Sequence, residues 1–380
     1  MSEHTEVIAA TDCSFIPKSG KQTYGLDWFY NGSASRTEKG LEISVISVID
    51  VVAHQGYTLS VQQTPPIPPG EQKKGKGKGK GRQTICREDI ERAREHLKHL
   101  PERSPSSQSV LQTTPSEPLE VPEITRSDYY LKQLQDTQPH FPTRLKYLAA
   151  DGFYSKFKFV SGVLALNLHM MGKLRLDANM RYLYTGPQKT KGARRKYDGK
   201  VDLTDLTRFT LVETLQPHRK LYTAVVWHVS LKCKIRLALL VNTDNPAKPG
   251  FFLLFPTDID LDAQKILKYY HSRFQIEFIF RDAKQFTGRC DAQTRDSKKL
   301  DFHFNASLTA LNLAKYEHQL QHPLTDPEQP SVPFSMTSYK RVALNDHLLE
   351  RFISKLDLDP TLIKSHPNFE SLRSYGIIAA

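Results

Sequence analysis

The stretch Tyr269–Phe286, YYHSRFQIEFIFRDAKQF, places five charged side chains in a largely apolar helical pattern. At 100° per residue, five polar-tipped side chains fall within an arc of about 80°; they are Tyr270, Arg273, Glu277, Arg281 and Lys284. Apolar residues cover most of the remaining surface, namely Phe274, Ile276, Phe278, Ile279 and Phe280. A solvated helix shows a broad polar face. The chain must therefore fold so that this helix, predicted over Asp262–Gln285, is largely buried around a narrow charged stripe.

Two interpretations of the stripe remain open. Its i,i+4 spacing predicts salt bridges from Arg273 to Glu277 and from Glu277 to Arg281, worth a few tenths of a kcal/mol per pair. Three cations around one carboxylate also leave a surplus of two positive charges, and a buried surplus is costly unless an anion neutralises it. Phosphate groups are suitable anions, so the second interpretation is a nucleic-acid contact.

Two further carboxylates lie in apolar, strand-like runs. Asp12 is inside VIAATDCSFI, and Asp151 closes LKYLAA where the chain turns towards a helix. Carboxylates at strand ends lie where α/β sheets place ligands, although Asp151 also suits a helix N-cap. Together with Glu277, they form an oxygen-donor set typical of Mg²⁺. Two such ions would activate a water or a 3′-hydroxyl. If Asp12 lay elsewhere in the fold, Asp27 or Asp50 would be the next candidate for the first acidic ligand.

The runs along the chain predict an α/β fold. EVIAATDCSFI, YGLDWFYNG and LEISVISVIDVV indicate three strands of an antiparallel meander. A strand, an amphipathic helix and a strand follow in LKYLAADGFYSKFKFVSGVLAL and MMGKLRLDA. Three more strands are indicated by KLYTAVVWHVSL, KCKIRLALLVNT and PGFFLLFPT, and the long charged helix precedes a second one, FHFNASLTALNLAKYEHQL.

Between the first strands and the second aspartate the composition changes. TPPIPPGEQKKGKGKGKGRQT is rich in Pro and then in Lys and Gly, which predicts a flexible, solvated segment, with weak phosphate tracking as the alternative. One helix, REDIERAREHLKHL, follows. The predicted divisions are core strands in 1–63, this insertion in 64–126, the second-aspartate region in 127–185, a β-rich insertion in 186–261, the glutamate-bearing and following helices in 262–320, and accessory helices in 321–380.

Composition limits the function classes. The net charge of +12 favours polyanionic partners. The four cysteines are scattered without a CxxC pair, which argues against a zinc knuckle or a disulfide framework. His54, His96 and His99 have no predicted metal role. No run reaches the roughly 18 apolar residues of a membrane helix and no signal-peptide layout begins the chain, so we expect a cytoplasmic, nucleoid-associated protein without a membrane partner.

Four residues of the stripe form the motif Y-x₂-R-x₃-E-x₆-K, namely Tyr270, Arg273, Glu277 and Lys284. This signature, together with ATDCSFIPKSGKQTYGLDWFYNG and LAADGFYSKFKF, resembles a group of bacterial insertion-sequence DDE transposases over residues 5–63 and 143–320. The resemblance implies an RNase H-like mixed sheet with flanking helices, interrupted by a β-rich insertion. It also implies a cut-and-paste endonuclease for DNA transposition and recombination.

Carried over to this chain, the resemblance implies Asp12, Asp151 and Glu277 as catalytic metal ligands for Mg²⁺, with Mn²⁺ as an alternative. Arg273 and Lys284 would contact the phosphates of the transposon end, supported by Tyr270, and Arg281 belongs to the same DNA-binding stripe. Within the β-rich insertion, Trp227 is a candidate for stacking on a flipped base, although an ordinary strand position is favoured. The expected partners are transposon-end and target DNA, bound by a homodimer.

In one respect the sequence departs from that group, whose members carry a DNA-binding domain before the first aspartate. Here 11 residues precede Asp12. A truncated gene, an internal start and end recognition by another component are the alternatives. The competing functions are a non-catalytic transposase remnant that binds DNA and a stand-alone Mg²⁺-dependent nuclease.

Overall fold

The computed structural model describes residues 6–66, 125–245, 249–322 and 332–377. In these ranges the strands form one mixed, twelve-stranded sheet. The strands are β1 (Val7–Pro17), β2 (Asp27–Asn31), β3 (Arg36–Asp50), β4 (Gln55–Gln63), β5 (Tyr147–Ala149), β6 (His169–Lys173), β7 (Met180–Leu183), β8 (Tyr197–Lys200), β9 (Thr210–Gln216), β10 (Arg219–His228), β11 (Cys233–Asn242) and β12 (Gly250–Pro256).

Helices flank the sheet. The α-helices are α1 (Arg126–Thr137), α2 (Phe157–Ala165), α3 (Ala263–Ser272), α4 (Gln275–Phe286), α5 (Ser297–Gln321), α6 (Met336–Lys355), α7 (Pro360–Lys364) and α8 (Phe369–Arg373). Short 3₁₀ turns are Gln138–His140, Gly152–Tyr154 and Leu206–Arg208. In the described ranges no helix is both long and apolar enough to cross a membrane.

Five strands form the centre of the fold in the order β4-β3-β1-β5-β6. β3 is antiparallel to both β1 and β4, whereas β5 is parallel to both β1 and β6. Helix α1 precedes β5, and α2 connects β5 to β6, as parallel pairing requires a crossover. This arrangement confirms the predicted mixed α/β sheet and is that of an RNase H-like domain.

The pairing of the first strands differs from the predicted meander. β1 pairs directly with β3, from Val7 opposite Asp50 to Pro17 opposite Gly40, and β2 pairs with the beginning of β3. β1 occupies one edge of β3, whereas β2 and β4 lie one after the other along the opposite edge, for which the 15 residues of β3 leave room. Local alternation predicted the strands but not which of them are neighbours.

The two faces of the sheet bury different helices because side chains alternate along β1. Val7 and Ala9 pack in a cluster with the apolar side chains of α1 and α2. Ile8 and Ala10 pack in a second cluster with α3, α4 and α5. Asp12 follows Ala10 by two residues and therefore lies on the second face, towards the helix that carries Glu277.

The predicted β-rich insertion extends the central sheet. The three strands expected there are β10, β11 and β12, joined as antiparallel neighbours. β12 also pairs antiparallel with β6, so the sheet continues as β6-β12-β11-β10-β7-β8, with β9 on β10. The insertion and the centre of the fold therefore share one hydrogen-bonded sheet.

The single long helix predicted over Asp262–Gln285 is two helices, α3 and α4, with a break at Arg273 and Phe274. Across the break the Phe274 N–H donates to the His271 carbonyl and the Glu277 N–H donates to the Phe274 carbonyl, each at 3.0 Å. These i to i−3 bonds are of the 3₁₀ type, which often marks strain or a functional position within helices. The second predicted helix is α5, and the tail helix lies within α6.

Several predictions concern residues outside the described ranges. Most of the Pro-rich and Lys-Gly-rich segment and the whole helix predicted over REDIERAREHLKHL lie within 67–124. His96 and His99 belong to the same part of the chain.

Candidate active site

One predicted acid, Asp12, lies within β1, and a second, Asp151, lies two residues beyond the end of the adjacent parallel strand β5. The register of β1 and β5 sets Ala9 opposite Leu148 and Ala10 opposite Ala149. Two residues further along, Asp12 and Asp151 reach the same level. The Asp12 carboxylate accepts a hydrogen bond from the Cys13 N–H at 2.8 Å.

Asp151 also caps the 3₁₀ turn that follows β5. Its carboxylate accepts a hydrogen bond from the Phe153 N–H at 2.8 Å. The capping role considered from the sequence is therefore real, and it fixes the side chain at the carboxyl end of β5. Capping and ligand binding are compatible because a carboxylate has a second oxygen.

Arg273 connects the first aspartate to the glutamate. Its Nη1 lies 3.5 Å from Asp12 Oδ2, and its Nη2 lies 3.1 Å from Glu277 Oε1. Arg273 is 8% exposed, and its buried Nε has no hydrogen-bond partner among the described residues. The structure therefore brings Asp12 and Glu277 to one cation, on the face of the sheet that packs against α3, α4 and α5.

The electrostatics at Asp12 indicate that the three acids share one environment. Burial, with a smaller contribution from the negative charge of Asp151, raises the pKa of Asp12 to about 7. Arg273 and the Cys13 N–H act in the opposite direction, and Glu277 adds a smaller upward effect. A desolvated carboxylate beside two others favours either a proton or a cation. Asp12 is therefore positioned to bind a positive ion.

The donor chemistry suits a divalent metal ion, but the side chains do not form a closed metal site. Three carboxylates without sulfur or imidazole ligands match the preference of Mg²⁺ and Mn²⁺ for oxygen. Among the described residues, no group of three or more His, Cys, Asp or Glu side chains has an arrangement that could hold a metal ion. Arg273 lies between Asp12 and Glu277, where its positive charge stands in for that of a metal ion.

The remaining residues of the predicted stripe lie in different environments. Tyr270 is buried, with its ring 5.4 Å from the Arg273 guanidinium and 5.9 Å from the ring of Phe252. Burial raises the pKa of Tyr270. Lys284 is exposed in the last turn of α4. Only the first part of the stripe therefore belongs to the acid cluster.

The surplus of positive charge expected around Glu277 is reduced because Arg281 has a different carboxylate partner. The guanidinium of Arg281 bonds the neighbouring Asp282 carboxylate at 2.8 Å and lies 4.8 Å from the ring of Phe278. The Glu277–Arg281 salt bridge considered from the sequence is replaced by this pair with Asp282. Arg281 thus brings its own counterion, and the excess positive charge at the stripe is smaller than predicted.

Two phenylalanine side chains that were expected to be buried are exposed. Phe274 is 50% exposed and Phe278 is 38% exposed. The buried side of α4 consists of Ile276, Ile279, Phe280 and Ala283. These residues fill the face towards the sheet, so Phe274 and Phe278 fall on the flank of the helix beside Glu277. The helix is less deeply buried than its composition indicated.

The alternative acids lie away from Arg273. The Asp27 carboxylate lies 3.7 Å from Arg126. Asp50 is buried at the end of β3, where it accepts hydrogen bonds from the N–H groups of Val52 and Ala53. Asp50 pairs with Val7, five residues from Asp12 along β1. The contacts with Arg273 and Glu277 therefore favour Asp12.

Trp227 is half-buried in β10, with its ring 5.9 Å from that of Tyr197. It lies opposite Lys234 of β11 and Arg181 of β7. The expectation of an ordinary strand position or a base-stacking role remains a prediction.

Sequence reasoning missed a buried polar network behind the two aspartates. The Cys13 thiol lies 3.2 Å from the Tyr154 hydroxyl, and the Tyr130 hydroxyl donates to Glu42 at 2.8 Å. Burial raises the pKa of the Cys13 thiol. Tyr154 belongs to the turn that follows Asp151, so this network ties the two aspartate-bearing segments together. The signal in the sequence was the adjacency of Cys13 and Asp12.

Sequence reasoning also missed Arg289. It is 3% exposed and donates to the Ser14 hydroxyl at 2.7 Å. Ser14 follows Asp12 by two residues and shares its face of β1. No feature of the local sequence distinguishes this arginine from those on the surface.

Comparison with known proteins identifies the family. The model of one family, described as DDE superfamily endonuclease, matches residues 1–228. The chain belongs to this family. The match spans more than half of the chain and includes Asp12 and Asp151, but it ends before Arg273 and Glu277. No curated protein matches the sequence. The family comprises nucleic-acid-cleaving enzymes that use divalent metals.

Proposed function

We propose that this DDE endonuclease is a cut-and-paste DNA transposase that acts with divalent metal ions at transposon ends. The supporting observation is the contact of Arg273 with both Asp12 and Glu277, near Asp151 at the end of the adjacent strand. Family membership supports phosphodiester cleavage as the general reaction. The insertion-sequence signature around Glu277 supports the transposase assignment.

In this proposal Asp12, Asp151 and Glu277 hold Mg²⁺, or Mn²⁺ as the alternative. Bound ions would lower the pKa of the attacking hydroxyl and neutralise charge on the departing oxygen. Water attacks the phosphorus at the transposon end, a new P–O bond forms, and the bond to the 3′-oxygen breaks. The freed 3′-hydroxyl then attacks a target phosphodiester, which releases a 3′-hydroxyl of the target.

The basic residues would position the strand. Arg273, supported by the ring of Tyr270, is close enough to the acids to bind the reacting phosphate once cations neutralise them. Lys284 and Arg281 would contact phosphates further along the DNA. Such reactions depend mainly on positioning and charge neutralisation, because the protein itself forms no covalent bond.

The deciding experiment is cleavage of the element's own terminus by the purified full chain. Wild-type protein with Mg²⁺ should release the 3′-hydroxyl end, and a chelator should abolish the reaction. Glu277→Gln preserves shape but removes a charge, and it should reduce cleavage by at least about 10²-fold, or ~2.7 kcal/mol. Equal cleavage by wild type and variant would exclude Glu277 from the site.

A stand-alone nuclease is the second candidate, favoured by the endonuclease description of the family. Supplying a target plasmid separates the two functions. A transposase joins the cleaved end to the plasmid, whereas a nuclease cleaves without joining. Sedimentation of the protein on paired ends tests the proposed homodimer. Binding without cleavage under every metal condition would instead identify a non-catalytic remnant.

A further inference from the structure

Strand β2 turns two large aromatic side chains towards solvent. Trp28 is 60% exposed and Tyr30 is 61% exposed. Phe29, between them, is fully buried on the opposite side, with the Arg126 guanidinium 4.5 Å from its ring. Phe29 therefore anchors the strand, and the two exposed rings contribute little to the core. Adjacent exposed aromatic side chains are typical of a binding surface.

The exposed rings lie on the same face of the sheet as the acid cluster. Asp12 pairs with Val45 of β3, and Trp28 pairs with Lys39 of the same strand. Directly opposed residues share a face, and Lys39 and Val45 are separated by an even number of residues. Trp28, Tyr30 and Lys39 thus face the same side as Asp12. Six residues of strand place them roughly 20 Å away.

The spacing and charge of this face match an unpaired nucleic-acid strand. Side chains at i and i+2 of a strand are roughly 7 Å apart, so two separate bases can each stack on one ring. Sheet-borne aromatic residues that stack successive bases are a general solution for single-strand binding. Lys39 is exposed opposite Trp28. The two acids of this hairpin, Asp27 and Glu38, lie on the other face, where Arg126 is near Asp27 and Arg36 binds Glu38.

We infer that Trp28 and Tyr30 stack two unpaired bases of the DNA strand that leads to the acid cluster, with Lys39 on its backbone. This inference deepens the proposed function and rests on it for the path of the strand. The separation of roughly 20 Å corresponds to about six stacked nucleotides at 3.4 Å each. Such a surface would hold an opened stretch near the cut and select for DNA that can open there.

Fluorescence tests the inference directly because the chain has two tryptophans. In a Trp227→Phe, Glu277→Gln background without metal, Trp28 is the only tryptophan, so excitation selective for tryptophan reports on it alone, and the DNA stays intact. A single-stranded thymidine oligomer of about 16 nucleotides should quench its emission. An oligomer of abasic sites with the same phosphates should bind without quenching, and a blunt duplex should quench much less.

Affinity measurements assign the residues. Tyr30→Ala should weaken binding of the thymidine oligomer about tenfold, the equivalent of ~1.4 kcal/mol, and should leave binding of the abasic oligomer unchanged. Trp28→Phe keeps a ring and should retain most of the affinity that Trp28→Ala loses. Tyr375→Ala removes a 76% exposed tyrosine from the C-terminal region and is the matched control. Lys39→Ala should weaken both oligomers.

Three results would overturn the inference: quenching by the abasic oligomer, equal quenching by duplex, or no quenching with bound thymidine oligomer. Concentration-dependent self-association that Trp28→Ala abolishes, without an effect on DNA, would assign this face to a second copy instead. Cleavage does not enter these measurements. The proposed function therefore fails on the metal-dependent cleavage assay alone, and the stacking surface fails on quenching alone.

Discussion

At the level of single residues, the site depends on how Arg273 divides its charge. Its guanidinium lies 3.5 Å from Asp12 and 3.1 Å from Glu277 while only 8% of the residue is exposed. A buried cation of this kind stabilises the carboxylates that surround it, and removing one partner leaves the other charge uncompensated. We expect metal ions to release Arg273 from the acids towards a phosphate. Arg273 would then neutralise the acids in the free protein and bind a phosphate in the DNA-bound protein.

The raised pKa of Asp12 predicts a pH-dependent stability. Its folded pKa is about 7 against an ordinary 3.8. Between these values the folded protein keeps a proton that the unfolded chain releases, so the free energy of unfolding falls as pH rises from about 4 to 7. Asp12→Asn removes this loss. Arg273 keeps its pair with Glu277 in this variant. At about pH 8 with chelator, thermal unfolding should therefore show the variant more stable by about 1–4 kcal/mol.

The control for this measurement is Asp177→Asn. Its carboxylate is 69% exposed and pairs with Arg175, so its removal should change stability little at either pH. Parallel pH profiles for wild type and Asp12→Asn would show that Asp12 titrates as an ordinary surface acid.

The two outer cations of the stripe should differ in their salt dependence. Lys284 is exposed without an ion pair among the described residues, whereas Arg281 pairs with Asp282. Each phosphate contact adds about 0.9 to the slope of log affinity against log salt. Lys284→Ala should therefore lower the slope by about 1, and Arg281→Ala should lower it less. Fluorescence anisotropy with duplex DNA across a salt series measures both.

Lys355→Ala, at the end of α6, serves as the matched surface control. If Lys284→Ala weakens binding by the same factor at every salt concentration, the lysine does not contact a phosphate. If Arg281→Ala has the larger slope change, its pair with Asp282 opens on DNA.

At the level of elements, local pattern predicted what repeats along the chain. The strands β10, β11 and β12 and the helix α5 follow from their runs because many residues contribute to each pattern. The break between α3 and α4 has no proline or glycine to mark it. We attribute the break to the contacts of Arg273 with β1. Those contacts connect residues 261 positions apart, which no local window contains.

The site shows the same division. The acids Asp12, Asp151 and Glu277 were predictable as candidates because charges interrupt apolar runs. The pairing of Arg281 with Asp282 was not, since the helical wheel places neighbours in sequence 100° apart. The hydrogen bond between the Cys13 thiol and the Tyr154 hydroxyl connects residues 141 positions apart in the sequence. Rotamers and long-range partners, rather than residue types, decided these contacts.

The contact between β4 and α5 gives a test at this scale. Asn312 of α5 accepts from the Thr58 N–H at 3.0 Å and donates to the Thr58 carbonyl at 2.7 Å. It therefore acts on the strand edge as a backbone would. Asn312→Ala leaves both groups without this partner and should lower the free energy of unfolding by about 1–3 kcal/mol. Chemical denaturation measures the loss.

Asn305→Ala is the matched control on the same helix. Asn305 donates to the Asp301 carbonyl of its own helix, so its loss should cost less than about 1 kcal/mol. Similar losses for the two variants would mean that α5 does not depend on Asn312 for its attachment to β4.

At the level of the whole molecule, one sheet connects the central strands with strands that are distant from them in sequence. β6 of the centre pairs with β12, which pairs with β11 and, through it, with β10. β12 comes later in sequence than β7–β11, yet it lies between them and the centre. The outer strands therefore depend on a strand that the chain supplies last.

This order predicts the behaviour of a fragment that ends at residue 228, where the family match ends. The fragment keeps β6 and β10 but loses β11 and β12, the two strands between them. It also loses α3, α4 and α5, which bury one face of the sheet. Two uncovered strand edges and a bare apolar face favour aggregation. We expect far-UV circular dichroism and limited proteolysis to show that this fragment does not fold.

A fragment ending at residue 322 is the matched comparison, since it retains all twelve strands and α5. It loses α6, whose Met336 is buried against the second cluster, so it should fold with reduced stability. Because a cooperative domain needs its complete core, a stable fragment 1–228 would mean that the centre folds without β12. The extension would then be an independent addition to the sheet, and Glu277 would belong to an element that docks onto a fold already formed.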